Sequence, residues 1–279
     1  MFKAKKIVLS IIGVLIIMIV WGYFNIWRSP KHYLEVNNCN KFNHILSMQE
    51  YGQLADTHKR PYIIERKDVL VFGSEHIKTP EHQQNKFIEE AFDMFKPTVV
   101  LVEGRLGFLI PYFMDPVKKF GEMGKASELA KKHSLLLYSW DPPKGKQLDE
   151  LKKEFNPEQL AIKEILTPYF GNLRFGKPES PEKFVEQYLQ RAQWLGVQNK
   201  IKSIDDIDRI WKRDFPNEKD WRDTDDQWGL PGYLSEIADT SNLIRNQYLL
   251  CAIKKLTAQG EKVFVVCGSS HAVCIKNEI

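Results

Sequence analysis

The chain has 279 residues, of which 43% are hydrophobic and 27% are charged. This length and balance are typical of one globular domain, or of one domain with an insertion, and they exclude a disordered chain. Three of the 40 basic side chains (Lys3, Lys5 and Lys6) precede an apolar segment, so the rest of the chain is nearly neutral against 36 acidic side chains. A nearly neutral body argues against a nucleic-acid-binding surface.

The N-terminal residues 1–27 are typical of a membrane anchor. Residues 7–24 contain no charged side chain, and such a helix is long enough to cross the ~30 Å hydrocarbon core of a bilayer. The bulky sequence WGYFNIW follows where a signal peptidase needs small residues, which favours an uncleaved signal anchor over a cleaved signal peptide. The three lysines and the terminal amine outweigh Arg28 and Lys31. We therefore expect a single-pass protein of the cell membrane, bound to the membrane through residues 7–27, with a cytoplasmic N-terminus and an extracytoplasmic body.

The remainder divides into a polar connecting segment over residues 28–60 and an α/β domain over residues 61–279. Two apolar runs, Tyr62–Ile64 and Val69–Phe72, flank the polar sequence ERKD and predict a hairpin. Helices and strands then alternate, which is typical of a mostly parallel central sheet flanked by helices. The predicted elements are a helix opened by Thr79-Pro80, a strand ending at Glu103, a helix over about Pro116–His133, a strand ending near Asp141, a helix over about Ser235–Ala258 and a strand at Val263–Cys267.

Residues 144–233 interrupt this alternation. They are rich in charge, proline and tryptophan, and helical patterns such as PEKFVEQYLQRAQWL recur without a recognisable strand. The simplest interpretation is a helical cap inserted into the α/β core. The predicted fold class is therefore α/β, with a helical cap insertion and an N-terminal transmembrane helix.

Polar side chains follow the apolar strands, at the edge where ligands bind to parallel α/β sheets. The sequence VFGSEH delivers Glu75 and His76 to this edge, and the similar sequence VCGSSH delivers Ser270 and His271. Both contain Gly-x-x-His, in which the glycine permits a sharp turn and a close approach of other groups. Two other predicted strand ends supply further polar side chains, which are Glu103, Arg105 and Asp141.

Two imidazoles and a carboxylate are a common set of ligands for a divalent catalytic metal. We therefore predict that His76, Glu103 and His271 form one site, with Glu75 as a candidate fourth ligand. The ion would be zinc, manganese or cobalt.

The late helix contains a second group of polar residues, in the sequence SNLIRNQYLL. Arg245 interrupts an apolar stripe there, and either it or Arg105 is a candidate to stabilise a substrate oxyanion. Asn246, with Asp141 and Ser270, is a candidate to contact the substrate or the catalytic groups. A surface salt bridge is the alternative interpretation of Arg245.

The four cysteines, Cys39, Cys251, Cys267 and Cys274, contain no CxxC pair, so a zinc ribbon is not indicated. An extracytoplasmic body would permit disulfide bonds. The alternative is that Cys251 and Cys267 are small core residues on a helix and a strand.

These motifs together resemble the TraB/GumN/Tiki superfamily, which is similar in turn to erythromycin esterases and ChaN-like proteins. The resemblance rests on VFGSEH, TVVLVEGR, SNLIRNQYLL and VFVVCGSSH, and it covers about residues 62–142 and 235–274. It implies an α/β core of two pseudo-equivalent halves with a site at His76, Glu103, Arg245 and His271. One departure is Arg105, which stands where many relatives have a second acidic residue.

The resemblance indicates a site more clearly than a substrate. Tiki-type relatives are described as metal-dependent proteases, the esterase relatives hydrolyse a lactone, ChaN-like relatives bind haem iron, and TraB is associated with shutdown of peptide pheromones.

The leading interpretation is a membrane-anchored hydrolase that cleaves a peptide, amide or ester bond in a peptide or small-molecule substrate. It is either metal-dependent or uses one histidine as general base, oriented by Glu103. The alternative is a non-catalytic module that binds a peptide, lipid or haem ligand at the membrane surface.

Overall fold

The computed structural model describes residues 2–25, 34–36, 39, 41–54, 59–104, 106–110, 113–224 and 229–279. The chain begins with helix α1 at Phe2–Asn25, and its stretch Lys5–Gly22 is long and apolar enough to cross a membrane. This confirms the predicted apolar N-terminal helix. Residues 1, 26 and 27 of the predicted anchor lie outside the described residues, and the side of the membrane on which the body lies stays a prediction.

Five strands and ten further α-helices follow in the described residues, together with three short 3-10 helices. The strands are β1 Tyr62–Glu65, β2 Val69–Ser74, β3 Val99–Val102, β4 Leu136–Ser139 and β5 Val263–Gly268. The helices are α2 Met48–Gly52, α3 Gln83–Phe95, α4 Pro116–Phe120, α5 Glu122–Lys132, α6 Lys144–Leu151, α7 Pro157–Leu173, α8 Pro181–Glu186, α9 Ile204–Asp214, α10 Tyr233–Ala258 and α11 Ser269–Ile275.

The strands form one sheet in the order β1-β2-β5-β3-β4. β1 pairs antiparallel with β2, and the other pairs are parallel, so the predicted hairpin and mostly parallel sheet are confirmed. β5 is last in the chain but lies between β2 and β3. β2, β3 and β5 are buried along their whole length, which explains their nearly unbroken apolar sequences.

Alternate residues of these strands form two separate cores, because successive side chains point to opposite faces. On one face, Phe72, Val102 and Val266 pack with α3 and α5. On the other face, Val71, Leu101 and Val265 form a core with α10 and with Leu34 from the segment before β1. The sheet is therefore covered on both sides.

The predicted helix over Pro116–His133 is wrong in one respect, since the structure divides it into α4 and α5 at Gly121. Gly121 has φ 66°, and an added Cβ would lie 2.6 Å from the carbonyl oxygen of Ile77. Glycine is therefore required there both for its conformation and for the close approach of another segment. The break places Glu122 at the start of α5, buried beside the loop that contains His76.

The helix predicted to open at Thr79-Pro80 instead begins at Gln83. His82 is its N-cap, and His82 Nδ1 accepts a hydrogen bond of 3.3 Å from Gln84 N. This bond satisfies one of the backbone donors that a helix leaves unpaired at its N-terminus. Pro80 therefore lies in the turn before the helix.

The chain divides into two compact units, and Pro143–Arg245 is the second. No strand lies among its described residues, 143–224 and 229–245, as predicted. Its core packs α7 against Trp211 and Trp221, which are both buried. The interpretation of this helical unit as a cap stays a prediction.

Cys39 and Cys251 form a disulfide bond that links the segment after α1 to α10. The interpretation of Cys251 as a free core cysteine is therefore wrong, although its side chain is buried. Cys267 and Cys274 are buried and are not part of a disulfide bond, so that interpretation holds for Cys267.

Gly73 allows β2 to approach α11 closely. An added Cβ at Gly73 would lie 2.8 Å from Ala272 Cβ, 2.8 Å from Tyr62 O and 3.0 Å from Ser269 Cα. Two of these three atoms belong to the helix that directly follows β5. A side chain at this position would therefore separate the ends of β2 and β5.

We predict that Gly73→Ala lowers the free energy of unfolding by about 1–3 kcal/mol, because backbone atoms cannot move aside as a flexible side chain can. Thermal unfolding of the full chain in detergent measures the change. Gly52→Ala is the matched control, since an added Cβ there meets nothing within 4 Å. Equal melting temperatures for the two variants would contradict the described contact.

Candidate functional site

The two Gly-x-x-His sequences leave neighbouring strands at the same edge of the sheet. Ser74, at the end of β2, is paired with Gly268, at the end of β5. Because these strands are parallel and adjacent, both histidines follow at the carboxyl edge. The structure thus brings together the two residues that the repeat in the sequence suggested.

Both imidazoles lie beside Gly268. An added Cβ there would stand 3.2 Å from His76 Nε2, 3.5 Å from His76 Cε1 and 3.8 Å from His271 Cδ2. The separation of His76 Nε2 from His271 Cδ2 is therefore at most the sum of 3.2 and 3.8 Å. Each glycine of the repeat packs against the other copy, Gly73 against the helix of His271 and Gly268 against the ring of His76.

His76 is paired with a buried carboxylate. Its Nδ1 lies 2.7 Å from Glu122 Oε1, and the Glu122 side chain is 2% exposed whereas that of His76 is 30% exposed. Glu122 Oε2 also accepts a hydrogen bond from Ile77 N at 3.3 Å. An ionised carboxylate only accepts hydrogen bonds, so Nδ1 of His76 carries a proton and Nε2 is the basic nitrogen of the neutral ring.

His271 is held by an amide instead. Its Nδ1 lies 2.7 Å from Asn246 Oδ1, and Asn246 is 1% exposed. With the amide oxygen as acceptor, Nδ1 of His271 carries the proton, and its Nε2 is also the basic nitrogen. The ring of Trp140 meets the His271 ring edge-on at a centroid distance of 5.1 Å, which further fixes its orientation.

The two copies of Gly-x-x-His differ in local structure. His76 lies in the loop between β2 and α3, whereas His271 lies in the first turn of α11. The loop is fixed by Gln84, because Glu75 N donates to Gln84 Oε1 at 2.7 Å and Gln84 Nε2 donates to Glu75 O at 2.8 Å. The strand ends are equivalent, but different elements position the two imidazoles.

Glu103 and Asp141 bind backbone groups at the same edge. Glu103 Oε2 accepts a hydrogen bond of 3.2 Å from Gly268 N. Asp141 Oδ2 accepts one of 2.8 Å from Gly104 N, and Gly104 has φ 68°. Glu103 therefore lies next to the residue that both imidazoles flank, and Asp141 fixes the turn that follows Glu103.

Four other residues were predicted to belong to the site, which are Glu75, Ser270, Arg105 and Arg245. The Glu75 side chain is exposed, and Ser270 is half-buried in the first turn of α11. Arg105 lies outside the described residues. Arg245 belongs to the second unit, where its Nη1 donates to Asn242 Oδ1 at 3.4 Å, and its role in the site stays a prediction.

Sequence reasoning missed Glu122, the carboxylate bonded to His76. The helix was predicted to continue through Gly121, which would have left Glu122 as one charged residue among several on a helix surface. The sequence FGEMG, with two glycines around one glutamate, was the available signal. A glycine pair inside a helical pattern often marks a break or a close contact.

The donor chemistry fits a divalent ion in one respect. Histidines that bind metals usually donate their other ring nitrogen to an oxygen acceptor, as both Nδ1 atoms do here. Within the described ranges, however, no group of three or more His, Cys, Asp or Glu residues has the arrangement of a metal site. The metal ion stays a prediction.

No family model, no curated protein and no solved structure matches this chain. The resemblance to the TraB/GumN/Tiki superfamily is therefore an inference from the motifs alone.

We predict that Gly268→Ala displaces the His76 ring without unfolding the protein. Gly268 has φ −57°, which alanine adopts readily, and the half-exposed imidazole can move away from the added methyl group. Ring signals of His76 in an NMR spectrum of histidine-labelled protein should shift, while those of the exposed His44 and His133 stay unchanged. Unchanged His76 signals would contradict the described packing of Gly268 against this ring.

Proposed function

We propose that this protein is a membrane-anchored hydrolase whose general base is His76, oriented by Glu122. The observation that supports this most strongly is the hydrogen bond between His76 Nδ1 and a carboxylate that is almost fully buried. A buried carboxylate paired with Nδ1 fixes the tautomer of the ring and stabilises the imidazolium that forms when Nε2 takes a proton. The substrate class is a peptide, amide or ester.

The proposed reaction uses this chain's own residues. Water bound at the carboxyl edge loses a proton to His76 Nε2 and attacks the carbonyl carbon of the scissile bond. Glu122 stabilises the resulting positive charge on His76, and the proton then passes to the leaving nitrogen or oxygen. Arg245 or Arg105 is the proposed donor to the developing oxyanion.

His271 has a different role in this proposal, because its Nδ1 partner is neutral. Asn246 fixes the ring but offers no charge to stabilise an imidazolium. His271 therefore positions the attacking water or the substrate through Nε2. In the metal-dependent version, Nε2 of both histidines and the Glu103 carboxylate would bind the ion, which would supply an activated water.

The body of the protein is proposed to lie outside the cytoplasm. The Cys39–Cys251 disulfide supports this placement, since such bonds persist in oxidising compartments and are rare in the cytosol. The helix α1 would then cross the membrane once, with its three lysines on the cytoplasmic side.

We expect the full chain in lipid nanodiscs to hydrolyse members of a library of quenched peptides and chromogenic esters. His76→Ala and Glu122→Gln should both lower kcat/KM, by on the order of 10²- to 10⁴-fold, because each disables the general base. His133→Ala is the matched control, since this exposed residue is the C-cap of α5, at the opposite end of that helix from Glu122.

Three outcomes of this assay separate the versions of the proposal. Loss of activity with a chelator, and stoichiometric metal that is lost in both His76→Ala and His271→Ala, would support the metal-dependent version. Activity indifferent to chelators supports the base mechanism alone. Ligand binding without any turnover would favour the alternative, a module that sequesters a peptide, lipid or haem, and would overturn the hydrolase proposal.

The orientation makes a separate prediction about the four cysteines. In protein alkylated during cell lysis and unfolded without reductant, only Cys267 and Cys274 should be modified, whereas all four should react after reduction. Mass spectrometry of the intact chain counts the added groups. Modification of all four cysteines without reductant would contradict both the disulfide and the extracytoplasmic placement.

A further inference from the structure

The segment that follows the membrane helix is bonded along α10. We define the juxtamembrane segment as the described residues between 34 and 54, which are 34–36, 39 and 41–54. Its contacts with α10 are a hydrogen bond from Tyr248 Oη to Leu34 O, one of 2.7 Å from Lys255 Nζ to Glu35 O, one of 3.1 Å from Phe42 N to Gln247 Oε1, and the Cys39–Cys251 disulfide.

These contacts lie on one face of the helix. Gln247, Tyr248, Cys251 and Lys255 follow the spacing i, i+1, i+4 and i+8, which places them on one side of α10. The adjacent face, which contains Leu249, Leu250 and Ile253, packs on the sheet. The juxtamembrane segment therefore lies beside α10, with Leu34 in the same core, and Asn246 is in the turn where the contacts begin.

The same segment then reaches α11, the helix that contains His271. Leu46 N donates a hydrogen bond of 2.9 Å to Cys274 O. Tyr51 of α2 packs in a small buried cluster with Val273 and Cys274. A seven-residue helix such as α11 is not stable alone, so its position depends on contacts of this kind.

We propose that the juxtamembrane segment is a positioning element of the site, and that the Cys39–Cys251 bond is required to keep His271 on Asn246. The two partners of this hydrogen bond lie on α11 and α10, and the segment is bonded to both helices. The chain that leaves the membrane thus helps to build the site, so its geometry depends on an intact disulfide. A hydrolytic role of the site rests on the proposed function, whereas the effect of the segment on the position of His271 does not.

The length of the closed loop explains why one bond matters. Cys39 and Cys251 are 212 residues apart in sequence, and a cross-link over a long loop strongly restricts the open chain. The other contacts of the segment include the hydrogen bonds given above and the packing of Leu34 and Tyr51. Such segments open locally before the core unfolds.

The test compares the full chain in nanodiscs with a Cys39→Ser/Cys251→Ala double variant, by amide hydrogen exchange. We expect exchange to rise at least tenfold in residues 246–256 and 269–275, but not in α3. We also expect an Nδ1 proton signal of His271 in the NMR spectrum of the unmodified chain, because its hydrogen bond is buried, and loss of this signal in the double variant but not in Ile88→Val.

Ile88→Val is the matched control. Ile88 is fully buried on α3, in the core on the opposite face of the sheet, so its truncation lowers stability without touching the juxtamembrane segment. If the double variant does not fold, Tyr248→Phe removes one contact to the segment while keeping the disulfide, and a smaller rise confined to the same two regions is expected.

Exchange that rises equally in α3, α10 and α11, as in Ile88→Val, would overturn the proposal, because the disulfide would then act on overall stability alone. No rise in α10 and α11, with the His271 signal retained, would overturn it as well. A protein that shows the expected pattern but hydrolyses nothing would support this inference and contradict only the proposed function.

Discussion

The parallel pairing of β2 with β5 is the constraint on which the site depends. The first strand of the parallel set and the last strand of the chain lie side by side, with Gly73 next to last in β2 and Gly268 last in β5. Gly73 permits α11 to begin directly above β2, and Gly268 permits the ring of His76 to lie against β5. A side chain at Gly73 would separate the two strand ends, and one at Gly268 would displace the ring of His76. Packing therefore explains the repeated glycine. The same packing places both histidines at the carboxyl edge of the sheet, which explains the repeated histidine.

The two histidines share a location but not an environment. A charged acceptor holds His76 and a neutral acceptor holds His271, although both leave Nε2 as the basic nitrogen. The difference arises far from the repeat itself, because Glu122 is supplied by the break at Gly121 and Asn246 by α10. A pair of motifs that look equivalent in sequence therefore gives two imidazoles with different chemistry. This asymmetry is the reason for assigning proton transfer to His76.

The strands and their polar ends could be predicted from the sequence, because long apolar runs followed by glycine and charged residues have few other interpretations. The proximity of His76 and His271 followed from parallel topology, and Asn246 from its place on an apolar helix. Glu122 could not be predicted once a helix was drawn through Gly121, since the helical period of the neighbouring residues concealed the break. The Cys39–Cys251 bond was also out of reach, because four cysteines allow several pairings and contacts across 212 residues leave no local signal.

The central claim is that His76 and His271 belong to one site. Reciprocal substitution tests it most directly, in histidine-labelled full-length protein observed by NMR. His271→Ala should shift the ring signals of His76, and His76→Ala should shift those of His271, while the signals of His44 and His133 stay in place. If each substitution removes only its own signals and leaves the other histidine unchanged, the two imidazoles do not share a site and the account is wrong.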